Sequence, residues 1–145
     1  NKFGMIGKLT SIAAAFSILS MGQPILYGTL VVSTTAILLP SSKANAGIQE
    51  DVFSNMDRAY DSSSAGNHKD AISSASKVIK LLPKMGSGME ESEFAYYMYS
   101  VSAWSKYQIN DIKGACADWR KEVYLSNKLG DGFETDADEF IRNEC

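Results

Sequence analysis

The chain has 145 residues, a net charge of −3 and two cysteines, enough for one domain of moderate size. No charged residue lies between Lys8 and Lys43, and all 17 acids fall at or after Glu50, so the part beyond Ala46 carries a net charge of −6. A body that acidic repels a phosphate backbone, which argues against nucleic-acid binding.

Residues 1–46 have the pattern of an export signal. Lys2 and Lys8 form a basic start, and apolar runs follow at Leu9–Met21 and Ile25–Leu39, with Gln23-Pro24 between them. Ala44-Asn45-Ala46 before Gly47 is an A-x-A site, where a signal peptidase needs small side chains. The alternative is an uncleaved membrane anchor within residues 9–39, interrupted by Pro24. Both readings place the body, residues 47–145, on the exported side of a membrane: periplasm, thylakoid lumen or extracellular space.

In the body, Val52, Phe53, Met56, Ala59 and Tyr60 repeat at helical spacing, and a serine run to Gly66-Asn67 ends that helix. A second stripe runs Ala71, Ile72, Ala75, Val78, Ile79, Leu82 and closes at Pro83; residues 83–92, with two glycines, read as a loop. From Glu93 to Lys106 no charge appears, which predicts a helix buried on two sides. Asn110-Asp111 breaks it, with Asp111 a good N-cap for the next helix. On that helix Ile112, Ala115, Cys116, Trp119 and Val123 share a face, with Lys113, Asp118 and Lys121 off it, and the small pair Gly114-Ala115 admits the preceding helix. After Gly130-Asp131-Gly132 a last amphipathic helix carries Phe133, Ala137, Phe140 and Ile141. The last fifteen residues hold six acids against Arg142 and read as a solvated face. No stretch alternates with period two, so the body is expected to be all-α.

Laying Ala71 on Ala115 aligns two hairpins at a spacing of 44 residues, with Gly66-Asn67 over Asn110-Asp111 and Ala75 over Trp119. This resembles the tetratricopeptide repeat, whose pattern is W-x2-L-G-x2-Y, then A-x3-F, then P. Ala71, Ala75 and Pro83 fit its second half in one unit, and Ala115 and Trp119 in the other. The first half is degenerate: Asn55, Arg58, Ala59, Ser62 and then Tyr99, Ser102, Ala103, Lys106, of which only Ala59, Ala103 and Tyr99 are in keeping. The units would span about 48–83 and 93–128, with a capping helix at about 132–144. The alternative architecture is a five-helix bundle without repeats.

The resemblance implies antiparallel helix pairs stacked into a short superhelix that binds a protein or peptide partner, with no cofactor. The first helix of each pair would line its concave face, which offers Phe53, Met56, Tyr60, Tyr97, Ser100, Trp104 and Gln108. Tyr60 and Trp104 replace the Asn and Lys/Arg of carboxylate-binding members, so an acidic chain end is not the expected ligand. An aromatic stripe suits an apolar or Pro-containing segment, although each ring taken singly is better suited to a core. Such a short array leaves pairing of two copies open.

Cys116 and Cys145 lie about equally far from the Leu129-Gly130 turn, so an antiparallel hairpin brings them together, and an even count in an exported chain favours oxidation. His68 is the only histidine and reads as a turn residue, which leaves no zinc or haem ligand set. No P-loop, G-x-G-x-x-G or G-x-S-x-G occurs, and Glu90, Glu91 and Glu93 suit a solvated helix N-terminus. The expected function is a non-catalytic exported adaptor; the alternative is the same body tethered to a membrane as an assembly or stability factor.

Overall fold

A computed structural model describes residues 39–145, with side chains from Ala44 onward. The body is all-α. Its helices are α1 (Leu39–Ser64), α2 (His68–Met85), α3 (Glu93–Gln108), α4 (Ile112–Leu129) and α5 (Ala137–Glu144), with a 3-10 turn at Met89–Glu91. Asn45–Cys145 forms one compact unit. The apolar runs of residues 1–38, and with them the export signal or anchor, lie outside the described residues. Among those described, no helix is long and apolar enough to cross a membrane.

Two hairpins, α1–α2 and α3–α4, are built on the same turn. The amides of Gly66 and Asn67 donate to Ser63 O (3.2 Å) and Ser62 O (2.7 Å), and those of Asn110 and Asp111 donate to Tyr107 O (3.0 Å) and Lys106 O (2.9 Å). This pairing satisfies the last carbonyls of a helix and needs a left-handed residue at its centre. Gly66 (φ 80°) and Asn110 (φ 65°) fill that position, and both are residue types that tolerate it. Burial keeps the same 44-residue register: Ala59 and Ala103, Ala71 and Ala115, and Ala75 and Trp119 are all fully enclosed. Methyl-sized side chains at Ala59, Ala71, Ala103 and Ala115 let helix axes approach, and Trp119 stands in the second hairpin where the first has Ala75.

The hairpins are joined through α3, which buries Ala95, Tyr96, Met98, Ser100, Val101, Ser102, Ala103 and Ser105 and so has almost no solvent face. Ser105 sits at the junction: its hydroxyl donates to Ser63 Oγ (3.3 Å) and is hydrogen-bonded to His68 Nδ1 (3.4 Å). His68 is therefore a half-buried tie between hairpins as well as the first residue of α2.

Several boundaries differ from expectation. α1 begins at Leu39, before the expected Gly47, with Pro40 in its first turn, where a missing amide costs nothing. The stretch Ala44–Gly47 thus lies within α1, exposed. α2 runs through Pro83 to Met85, because a proline in the last turn forfeits one bond only, and Gly86 ends the helix. At Gly114 a Cβ would collide with the carboxylate of Asp111, which accepts from the Gly114 amide (3.0 Å), while Ala115 is fully buried in one cluster with Ala103 of α3. Glu91, expected to be solvated, binds Lys128 Nζ and accepts from the Tyr124 hydroxyl (2.6 Å).

The last helix is shorter than expected and starts at Ala137. Gly130 (φ 80°) and Gly132 (φ 95°) hold the preceding chain in turns, and the Ser126 hydroxyl donates to Phe133 O. Thr135, just before the N-cap Asp136, ties the start of α5 to α4: its Oγ1 accepts from the Ala137 amide (3.0 Å) and donates to buried Glu122 (2.7 Å). Phe133 consequently lies outside α5 and rests on Tyr96 (5.5 Å). α5 packs on α4 through Ala115, Cys116, Trp119 and Ala137, a cluster that Ala103 of α3 completes, with Phe140 stacked on Trp119 (4.9 Å, 11°). Cys116 and Cys145 form a disulfide across this pair, with Cα atoms 5.9 Å apart.

Candidate partner-binding face

α1 and α3 are the first helices of their hairpins, and the 44-residue register places Phe53 over Tyr97 and Tyr60 over Trp104. All four are half-buried. Each lends part of its ring to the body and leaves part accessible, unlike the small residues on the opposite sides of the same helices.

Phe53 packs edge-on against Phe94 of α3 (6.0 Å). Tyr97 lies 5.0 Å from Tyr96 and 6.2 Å from Phe133. Trp104 tilts against Tyr107 (6.1 Å), whose hydroxyl donates to Glu144 of α5 (3.4 Å). Gln108 is exposed at the end of α3. Met56 is 3 % exposed and serves the core rather than the face, and Ser100 is buried too, so the α1/α3 surface is narrower than the seven-residue stripe expected from spacing. Phe94, Phe133 and Tyr107 support the face from behind. Phe133, expected on the last helix, instead precedes it and reaches Tyr96 and Tyr97.

Burial of the Tyr60 ring, together with nearby Tyr97 and Asp57, holds its phenol well above its ordinary value. Its hydroxyl is buried without a hydrogen-bond partner among the described residues. Burial raises Tyr97 as well, with the carboxylate of Glu93 adding to it. Tyr96 is raised mainly by burial and by Glu122, and its hydroxyl donates to Glu134 O (2.7 Å). These phenols are neutral throughout the physiological range, so the face presents uncharged ring surface, with carboxylates at its border.

Polar chemistry elsewhere is structural in arrangement. Asp118, expected off the buried face of α4, is 8 % exposed and points at α3, accepting from Ser102 Oγ (2.6 Å) and Lys106 Nζ (2.7 Å). Glu122, one turn on, is 3 % exposed and holds Thr135. At 44 residues' remove these acids replace Ser74 and Val78 of the first hairpin. The signal in the sequence was their spacing from Ala115 and Trp119, which marks a second buried side of α4. Among the described residues no three His, Cys, Asp or Glu side chains converge to hold a metal ion.

The disulfide is compatible with an oxidising, exported compartment. No protein-family model, curated protein or solved structure matches the chain.

Proposed function

We propose that this chain is a non-catalytic, exported interaction module that works in the manner of a short tetratricopeptide array. In this reading, two helical hairpins and a capping helix hold an aromatic face formed by α1 and α3 against a segment of a partner protein. The observation that carries it is the recurrence of half-buried rings at matching positions of the two hairpins: Phe53 with Tyr97, and Tyr60 with Trp104. Trp119, at the centre of the core, is by contrast fully enclosed. A partly enclosed, rigidly backed ring offers large contact area with little entropy left to lose, which is the usual make-up of a binding hot spot.

The export signal expected in residues 1–46 and the disulfide both favour an extracytoplasmic setting. In that setting the staple supports an array shorter than the three repeats that usually suffice. The test is capture of partners from an extract of the exported compartment by the oxidised full chain, compared with Tyr60→Ala, Trp104→Ala and, as a control on α4, Lys113→Ala. The expected result is one or more captured proteins lost from both aromatic variants and kept by the control. Capture unchanged by both aromatic substitutions would overturn the reading.

A further inference from the structure

We propose that the α1/α3 aromatic face takes a cationic segment, an extended partner stretch whose Lys or Arg side chains lie against the rings and the carboxylates bordering them. This names the partner class for the interaction face and rests on that reading.

The argument begins with placement. Asp57 and Tyr60 are three residues apart on α1, and Glu93 and Tyr97 four apart on α3, spacings that put each carboxylate beside its ring on one side of the helix. Both carboxylates are exposed, and neither is in an ion pair among the described residues. Each also lies close enough to raise the neighbouring phenol.

The basic residues of these two helices do not neutralise them. From Ala44 onward α1 carries Glu50, Asp51, Asp57 and Asp61 against Arg58 alone. α3 carries Glu93 and Lys106, and the Lys106 ammonium is held by Asp118 at 2.7 Å, toward α4. The face therefore joins unpaired negative charge to accessible ring surface.

Ring faces attract ammonium and guanidinium groups, tryptophan most strongly, and a bordering carboxylate adds a charge-assisted partner. Trp104 at one end of α3 and Tyr97 nearer the other provide two such points along the helix. An anionic segment would meet Asp57, Asp61 and Glu93 without compensation, and a neutral apolar one would leave them unpaired. The net charge of −6 beyond Ala46 adds long-range attraction for a basic partner.

The experiment uses the full chain with its disulfide intact and three blocked twelve-residue peptides of repeating Lys-Pro-Leu, Gln-Pro-Leu or Glu-Pro-Leu. Binding is followed by calorimetry and by fluorescence of Trp104, the less enclosed of the two tryptophans. The lysine peptide should bind about tenfold or more tighter than the glutamine peptide, with the glutamate peptide weakest. Its affinity should fall several-fold as salt rises from about 50 to about 300 mM. Asp57→Asn with Glu93→Gln should weaken it by about fivefold with the circular dichroism unchanged, and Trp104→Ala should weaken it at least as much by calorimetry.

Failure of the lysine peptide to bind, or equal binding of the glutamine peptide, overturns the proposal. So does tight lysine-peptide binding that neither the double variant nor Trp104→Ala reduces, because the cation then sits elsewhere on the acidic surface. Equal binding of all three peptides that Trp104→Ala abolishes removes the cationic partner and leaves the interaction face standing. The face itself falls only when partner capture ignores both Tyr60→Ala and Trp104→Ala.

Discussion

Asn67 and Asp111 stand 44 residues apart and share one backbone geometry, φ −83° and ψ 64° in the first hairpin, φ −85° and ψ 71° in the second. The residue before each is left-handed, and the amide four residues after each donates to its carbonyl, Ala71 to Asn67 (3.0 Å) and Ala115 to Asp111 (2.9 Å). Equivalent turns should respond alike. Gly66→Ala and Asn110→Ala are each expected to cost about 1 kcal/mol, because both force a Cβ-bearing residue without Asn's local hydrogen bonding into a left-handed conformation. Asn110→Gly should change stability by less than about 0.5 kcal/mol. Urea unfolding followed by circular dichroism measures all three, and a cost at one turn without the other would break the equivalence.

The disulfide closes a span of 29 residues between α4 and the end of α5. In the chain-entropy treatment such a loop is worth about 3–4 kcal/mol. Cys116→Ala with Cys145→Ala should lower the unfolding free energy by that order, and added reductant should have little further effect on the double variant. The comparison of oxidised wild type, reduced wild type and double variant separates the cross-link from the packing of Cys116.

Asp118 is enclosed by α3, yet its partner Lys106 keeps some exposure, with side chains 12 % and 22 % accessible. Asp118→Ala removes an acceptor from both Ser102 and Lys106 and is expected to cost about 2–3 kcal/mol. Ser102→Ala should cost about 1 kcal/mol. The two together should cost less than their sum, since they share one hydrogen bond; denaturant titration of the double-mutant cycle checks this.

Tyr60, Tyr96, Tyr97 and Tyr99 are all held above the ordinary phenol value of 10.0, by burial first in every case. For an acid raised by folding, both states are protonated below pH 10 and the favourable contribution is complete there. Above pH 10 the unfolded chain ionises first, and that contribution is lost as pH rises toward the folded values. Stability should therefore decline from about pH 10 upward. Absorbance titration near 295 nm should show four phenols ionising late or only with unfolding, and normal titration of all of them would contradict the burial described.

Much of this architecture was readable in the residues. The turns at Gly66-Asn67 and Asn110-Asp111, the two-sided burial of α3, the Ala71/Ala115 register and the Cys116–Cys145 pairing all follow from local patterns, because spacing and turn chemistry act within one hairpin. What escaped depends on contacts between elements. Met56 looked like part of a stripe with Phe53 and Tyr60, and only packing of the assembled helices shows that it faces the core. Asp118 looked solvent-facing because its spacing puts it off the apolar stripe of α4, and its partners Ser102 and Lys106 lie on another element. The start of the last helix moved where a tertiary bond, Thr135 to Glu122, outweighed local cues. The aromatic positions were visible by spacing, but their partial exposure was not.

The central claim is that partners meet the α1/α3 face, and site-specific photo-crosslinking tests it most directly. A benzophenone side chain placed at Gln108, exposed at the end of α3, is compared with one at Lys121, exposed on α4, in the oxidised full chain within an exported-compartment extract. The expected result is a defined partner adduct from position 108 that Tyr60→Ala or Trp104→Ala abolishes, with none from position 121. Adducts from position 121 alone, or adducts from 108 that survive both aromatic substitutions, would contradict the account.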